Sequence, residues 1–169
     1  MPVVSYSIVS RESIRAAILR NSGERGDAMH EFKTGREFVG RLPHGADLLE
    51  AITAQCRARD IRMARISAIG ALTQARVGYY EQDAKKYQEL DFPGHCEILA
   101  LIGNVSVRDG APAVHAHVTL ADDAGKAFGG HLVAGCRIFA CELVITELTG
   151  DPLARGFDET TGLPLWSED

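Results

Sequence analysis

Cys96-Glu97-Ile98-Leu99-Ala100-Leu101-Ile102-Gly103-Asn104-Val105-Ser106-Val107, followed by Arg108, Asp109-Gly110 and then Val114-His115-Ala116-His117-Val118-Thr119-Leu120, is the stretch that decides the fold. The first segment is an apolar run of strand length, with Ile98, Ala100 and Ile102 on one face and Leu99, Leu101 and Val105 on the other, a pattern expected of a strand buried on both sides. Asp109-Gly110 is the dipeptide that favours a two-residue hairpin turn, because both positions of that turn need positive φ. The return segment then alternates with period two. Val114, Ala116, Val118 and Leu120 make one apolar face, and His115, His117 and Thr119 make the other.

The next turn extends this reading. In Asp122-Asp123-Ala124-Gly125-Lys126, a three-residue loop of Asp123, Ala124 and Gly125 places Gly where positive φ is required. Asp122 then faces Lys126, and counting outward along Ala127-Phe128-Gly129-Gly130-His131 sets His117 opposite His131. Directly opposed residues share a face, with Cβ atoms about 4.5–5.5 Å apart, so this register brings His115, His117 and His131 to one patch. A bulge at Gly129-Gly130 would shift it by one residue and turn His131 away. The two glycines also leave room for a ligand near the backbone, and Gly129 and Gly130 are expected at its binding site.

Three imidazoles on rigid β-structure suit zinc or another divalent transition metal, with a fourth position open to water or a small-molecule ligand. An H-x-H pair alone is weak, since histidines on a solvated strand face are commonly plain surface groups. The alternation and the third histidine strengthen the metal reading. Glu97 and Glu142 each interrupt apolar strands and need partners there. Either suits a carboxylate that orients a histidine or acts as a general base, and Glu97 is the candidate catalytic residue. A structural ion pair or a subunit contact is the alternative for both.

Outward from these hairpins, Arg137 to Leu148 reads as a further strand and Phe32 to Leu42 as an early one. Asp47 to Ala58 reads as an amphipathic helix with Leu48, Leu49, Ile52 and Cys56 on one side. Arg62 to Leu72 and Ala75 to Glu81 are strand-like with a break at Gly70, and Gln82 to Gln88 is a polar loop. Val3 to Ser10 suits a short strand, and Ser10 caps a short helix holding Ile14, Ala17 and Ile18. One main helix against many turn-connected strands indicates an α+β domain with a mainly antiparallel sheet.

Composition narrows the class. The 169 residues suit one domain, and 46% hydrophobic with 24% charged is ordinary for a soluble globular protein. A net charge of −5 argues against nucleic acid as the default partner, because phosphate binding needs clustered Lys and Arg. No apolar run approaches the ~20 residues needed to span a bilayer. The four cysteines form no C-x-x-C pair, and the start MPVVSYSIVSRES has no signal-peptide pattern. Both features point to reduced thiols in the cytoplasm.

The motifs resemble a known family. Leu42-Pro43-His44-Gly45-Ala46-Asp47-Leu48, Ser67-Ala68-Ile69-Gly70-Ala71-Leu72, Glu97 to Asn104, His115 to Leu120, Gly129-Gly130-His131-Leu132, Glu142-Leu143-Val144-Ile145, and Arg155 with Asp158 and Thr161-Gly162-Leu163 occur in the order of the PPC domain (plants and prokaryotes conserved). The chain is similar to the stand-alone prokaryotic type, with residues 1–29 as an N-terminal extension and 30–169 as the domain. The resemblance implies an α+β fold assembled as a homotrimer, with the three histidines at the positions where prokaryotic members hold a metal ion. It also brings a DNA-binding label by analogy with plant nuclear proteins. Those carry an AT-hook, which Gly40-Arg41-Leu42-Pro43 is not. A DNA-associated regulatory role and a protein-interaction role are the alternatives to metal or ligand binding.

Overall fold

The computed structural model describes residues 29–167; the strand and helix expected before residue 20 lie outside them. Nine strands and one helix follow in the order β1 (Lys33–Arg41), α1 (Leu48–Ala58), β2 (Ala64–Glu81), β3 (Lys86–Phe92), β4 (Cys96–Arg108), β5 (Ala111–Ala121), β6 (Ala127–Leu132), β7 (Arg137–Thr149), β8 (Arg155–Asp158) and β9 (Leu163–Trp166). Seven strands form one sheet in the order β1-β7-β2-β4-β5-β6, with β3 paired to β2, and every pairing is antiparallel. The expected α+β class holds. Among the described residues no helix is long and apolar enough to cross a membrane.

The helix begins where capping chemistry places it. The Asp47 side chain accepts from the Glu50 backbone N–H at 3.1 Å, satisfying one of the donors a helix start leaves free. Its other carboxylate oxygen takes the Gly135 N–H at 2.7 Å, which fastens the helix start to the turn before β7. Leu48, Ile52 and Cys56 are fully buried and join a core with Leu101, Val105, Val118, Leu120, Ile138 and Leu143. Each fully buried aliphatic side chain of this kind contributes roughly 1.5–3 kcal/mol.

Three expectations need correction. The two strand segments around Gly70 are one 18-residue strand, β2. Gly70 marks a register shift rather than an end, and a Cβ there would lie 2.1 Å from the Ala140 carbonyl oxygen, so glycine lets β7 approach. The second concerns the supposed polar loop: its latter part belongs to β3, whose residues are all at least partly exposed, so no apolar alternation betrays the strand. Third, β4 is buried on one face only over Cys96 to Ile102, and on both faces only at Val105 to Val107. A register shift between Ile98 and Ala100 changes the alternation, so that Ile98, Leu101 and Val105 point inward while Leu99 is 51% and Ile102 70% exposed.

The length of β2 positions the site. Its first half pairs with β7 and β4, and its second half with β3 and β6. Strand β6, reached from β4 through β5, returns to β2 at Val77↔Leu132 and Gly78↔His131. The sheet thereby closes partly on itself and carries His131 against β2.

Candidate metal centre

The hairpins form as their turn chemistry requires. Asp109 and Gly110 have φ of 52° and 78°, and Arg108 faces Ala111 across them. At the second turn Gly125 has φ of 74°. Asp122 Oδ1 accepts from the backbone N–H groups of Ala124 at 3.0 Å and Lys126 at 2.8 Å. The β5–β6 register runs unshifted from Ala121↔Ala127 to His117↔His131, so Gly129-Gly130 introduces no bulge.

All three histidines therefore meet. Ring centroids are 5.5 Å apart for His115 and His117, 5.0 Å for His115 and His131, and 5.3 Å for His117 and His131. One ring nitrogen from each lies within 4.8 Å of the others. Zinc–nitrogen bonds of about 2.0–2.1 Å put all ligands on a sphere roughly 4 Å across, so small side-chain rotations suffice for three bonds to one ion. His117 is exposed, and His115 and His131 are half-buried. Burial, aided by the neighbouring imidazoles and Arg155, lowers the His131 pKa to about 4. Burial also lowers that of His115, followed by the charge of Arg155 and then His117. Both shifts favour the neutral ring, the form a metal requires.

Further groups complete the surroundings. Arg155, on β8, donates from Nε to Ser106 Oγ at 2.8 Å, from Nη2 to Asn104 Oδ1 at 2.8 Å and from Nη1 to the Pro164 carbonyl at 2.9 Å. Its Nη2 also stands 3.4 Å from His115 Nδ1, and its guanidinium lies 5.5 Å from the Trp166 ring centroid. Asn104 sits directly opposite His115 across β4 and β5. On the other flank the Tyr87 ring lies 5.0 Å from that of His131. A Cβ at Gly78 would come within 3.0 Å of that tyrosine ring, so glycine there accommodates it.

The remaining expected residues lie differently. Glu97 is exposed and faces Ala121, four strand positions or about 13 Å along β5 from His117. Glu142 is exposed between Arg41 and Ile69. Gly129 and Gly130 do not leave open room for a ligand. A Cβ would lie 2.1 Å from the Val118 carbonyl oxygen at Gly129 and 2.7 Å from that of Gly78 at Gly130, so the chain's own strands fill that space. His44 lies apart, its Nδ1 donating to the Phe139 carbonyl at 2.8 Å. Two surface clefts, one lined by Phe38, Leu42, Gln55 and Arg59 and the other by Asp60, Met63, Glu147 and Pro152, contain no histidine.

Sequence reasoning gave no role to Arg155, Asn104 or Tyr87 in this site. Arg155 was visible only as a family-matching residue of the tail, and Tyr87 sat in the segment read as loop. Neither has a local pattern that ties it to the histidines.

A partly closed antiparallel sheet with one helix packed into its core and three clustered histidines on the opposite face defines a class of small α+β proteins. The sequence profile of the Plants and Prokaryotes Conserved (PCC) domain matches residues 29–149, and the chain belongs to that family. Among solved structures it is similar to AF0104 of Archaeoglobus fulgidus, described as a metal-containing protein, at 43% identity and a TM-score of 0.80, covering 83% of this chain and 99% of that one. A plant- and prokaryote-conserved protein of Pyrococcus horikoshii matches at 39% identity and a TM-score of 0.79, over 83% and 97% of the two chains. A protein of Bacteroides thetaiotaomicron provisionally described as DNA-binding shares the fold at 21% identity and a TM-score of 0.73, over 82% and 98%. Two curated relatives, both named bifunctional protein GlmU and both from Synechococcus strains, match at 32% and 33% identity over 75% and 72% of this chain. The chain spans only about a fifth of their length, 20% and 18%.

Proposed function

We propose that this protein is a trimeric metal-binding module in which His115, His117 and His131 hold one divalent transition ion, zinc being the best match to three nitrogen donors. The reading is carried by the three imidazole nitrogens within 4.8 Å of one another. The metal content of AF0104, 43% identical, supports it. With three protein ligands the ion keeps a position open to water or a small ligand, and a bound ion of this kind acts as a Lewis acid toward what occupies it. The chain's own contribution is to keep His115 and His131 neutral by burial and to fix all three rings on two paired strands.

The trimer rests on the outer face of the sheet. Val39, Val144, Ser67, Ile102, His117 and His131 lie opposite one another in turn across six strands. In the single chain Val39 is 77% exposed and Ile69 56%, and Ile102 and Leu99 share this face. A contiguous apolar patch of this kind is a protein-interaction surface, and closed symmetry gives it copies of itself as partners. The exposed hydrophobic row runs directly into the histidines, so association would wall the site.

The deciding experiment is metal analysis of tag-free protein after zinc supply at neutral pH. The expected result is one zinc per chain for the wild type and a large loss for His117→Ala. Equal metal in both, or none in either, would overturn the assignment.

A further inference from the structure

We infer that Arg155 is the ligand-orienting residue of the histidine site and that the site takes a small molecule through an oxyanion, a carboxylate or phosphate group, set between the metal ion and the guanidinium. This rests on the metal-binding reading above and narrows it to a ligand class.

The inference comes from hydrogen-bond bookkeeping around one side chain. A guanidinium has five N–H donors and no acceptor. Ser106, Asn104 and Pro164 take three of Arg155's donors, and His115 Nδ1 stands at the fourth. All four acceptors are neutral, and among the described residues no carboxylate pairs with Arg155. This cation is half-buried, where the absence of a counter-charge is costly.

The contact with His115 cannot coexist with metal ligation. A neutral imidazole has one nitrogen lone pair, and its other nitrogen carries a proton. When a metal takes that lone pair, the ring has nothing left to offer Arg155, whichever nitrogen binds. One donor of Nη2 is then released beside the ion, and two of the five N–H groups lack protein partners. Three neutral imidazoles also leave the whole charge of a divalent ion uncompensated. A cation with freed donors next to an uncompensated metal selects an oxyanion, since guanidinium and oxyanion match in charge and in paired hydrogen-bond geometry.

Arg155 is held for this task rather than free to swing. Its backbone pairs with Trp166 across β8 and β9, the Trp166 ring lies beside its guanidinium, and Ser106 and Asn104 on β4 fix the head group. Asn104 lies opposite His115, so one strand pair sets both the metal ligand and the arginine.

The test uses the full chain loaded with Co(II), whose visible spectrum reports its ligands, titrated separately with acetate and inorganic phosphate. Wild-type protein should bind one Co(II) per chain and change spectrum with at least one anion. Arg155→Gln should bind Co(II) at least as tightly, having lost a competitor for His115, yet bind the anion about tenfold more weakly, the scale of a charge-assisted hydrogen bond. Arg155→Lys should fall between them. Retained one-to-one Co(II) binding also shows that each variant is folded. Unchanged anion affinity in Arg155→Gln, or no response of the wild type to either anion at tens of millimolar, would overturn the role of Arg155 while leaving the metal reading intact. Failure of the wild type to take up Co(II) would instead remove the metal reading, and this inference with it.

Discussion

The two faces of strands β4 and β5 do opposite work with the same alternation. On the inner face Leu101 and Val118 stand opposite each other, both fully buried, in a core shared with α1. At the next pair of the ladder, on the outer face, Ile102 stands opposite His117, and both are exposed. The inner pair is bound by close packing, where lost volume leaves a cavity. The outer pair is free to carry chemistry and association, because its side chains are not needed to exclude water from the core. The comparison teaches that stability and proposed function are separated here by one strand position, and that each can be perturbed alone.

The sharpest way to break that separation is from the inside. Leu101→Ala should destabilise the chain by about 2–5 kcal/mol, the range for a fully buried leucine, measured by denaturant unfolding. At temperatures where the variant stays folded, its zinc stoichiometry should match the wild type. Loss of metal in the folded variant would show that the two faces are coupled.

A smaller effect is expected from the histidines themselves. The pKa of His131 lies near 4 in the folded chain against about 6.5 when unfolded. Between these values the unfolded state binds the additional proton, so metal-free protein should lose stability as pH falls from about 6.5 toward 4. His131→Gln should flatten this part of a melting-temperature profile, and His115→Gln should act in the same direction. A profile unchanged by His131→Gln would contradict the burial of that ring.

The smallest effect on the chain's own fold belongs to Ile102→Glu. Far-UV circular dichroism should be retained, while, on the trimer proposed above, light scattering coupled to size exclusion should report a shift from three chains per particle to one. An unchanged particle mass would place the interface elsewhere.

Much of the site could be read before any coordinates, for a local reason. Asp109-Gly110 and Gly125 supply positive φ where two tight turns need it, and a tight turn sets the register of its strands for many residues. Period-two alternation then decides which face each histidine takes. The residues missed depend on contacts distant in sequence. Arg155 reaches Asn104 across 51 positions, and β3 is polar throughout, so its partner rather than its own pattern makes it a strand. The exposure of Leu99 and Ile102 follows from a register shift inside an apolar run, where either face reads as core.

By itself the sequence determined the hairpins, the main helix and the common face of His115, His117 and His131, because turns and periodic alternation act between neighbours along the chain. Only the tertiary structure decided that β6 returns to β2 beside Gly78, that Tyr87 and Arg155 flank the histidines and that the space beside Gly129 and Gly130 is filled. Those outcomes depend on which distant strands pair, and pairing is selected by the packing of the whole core rather than by any local pattern.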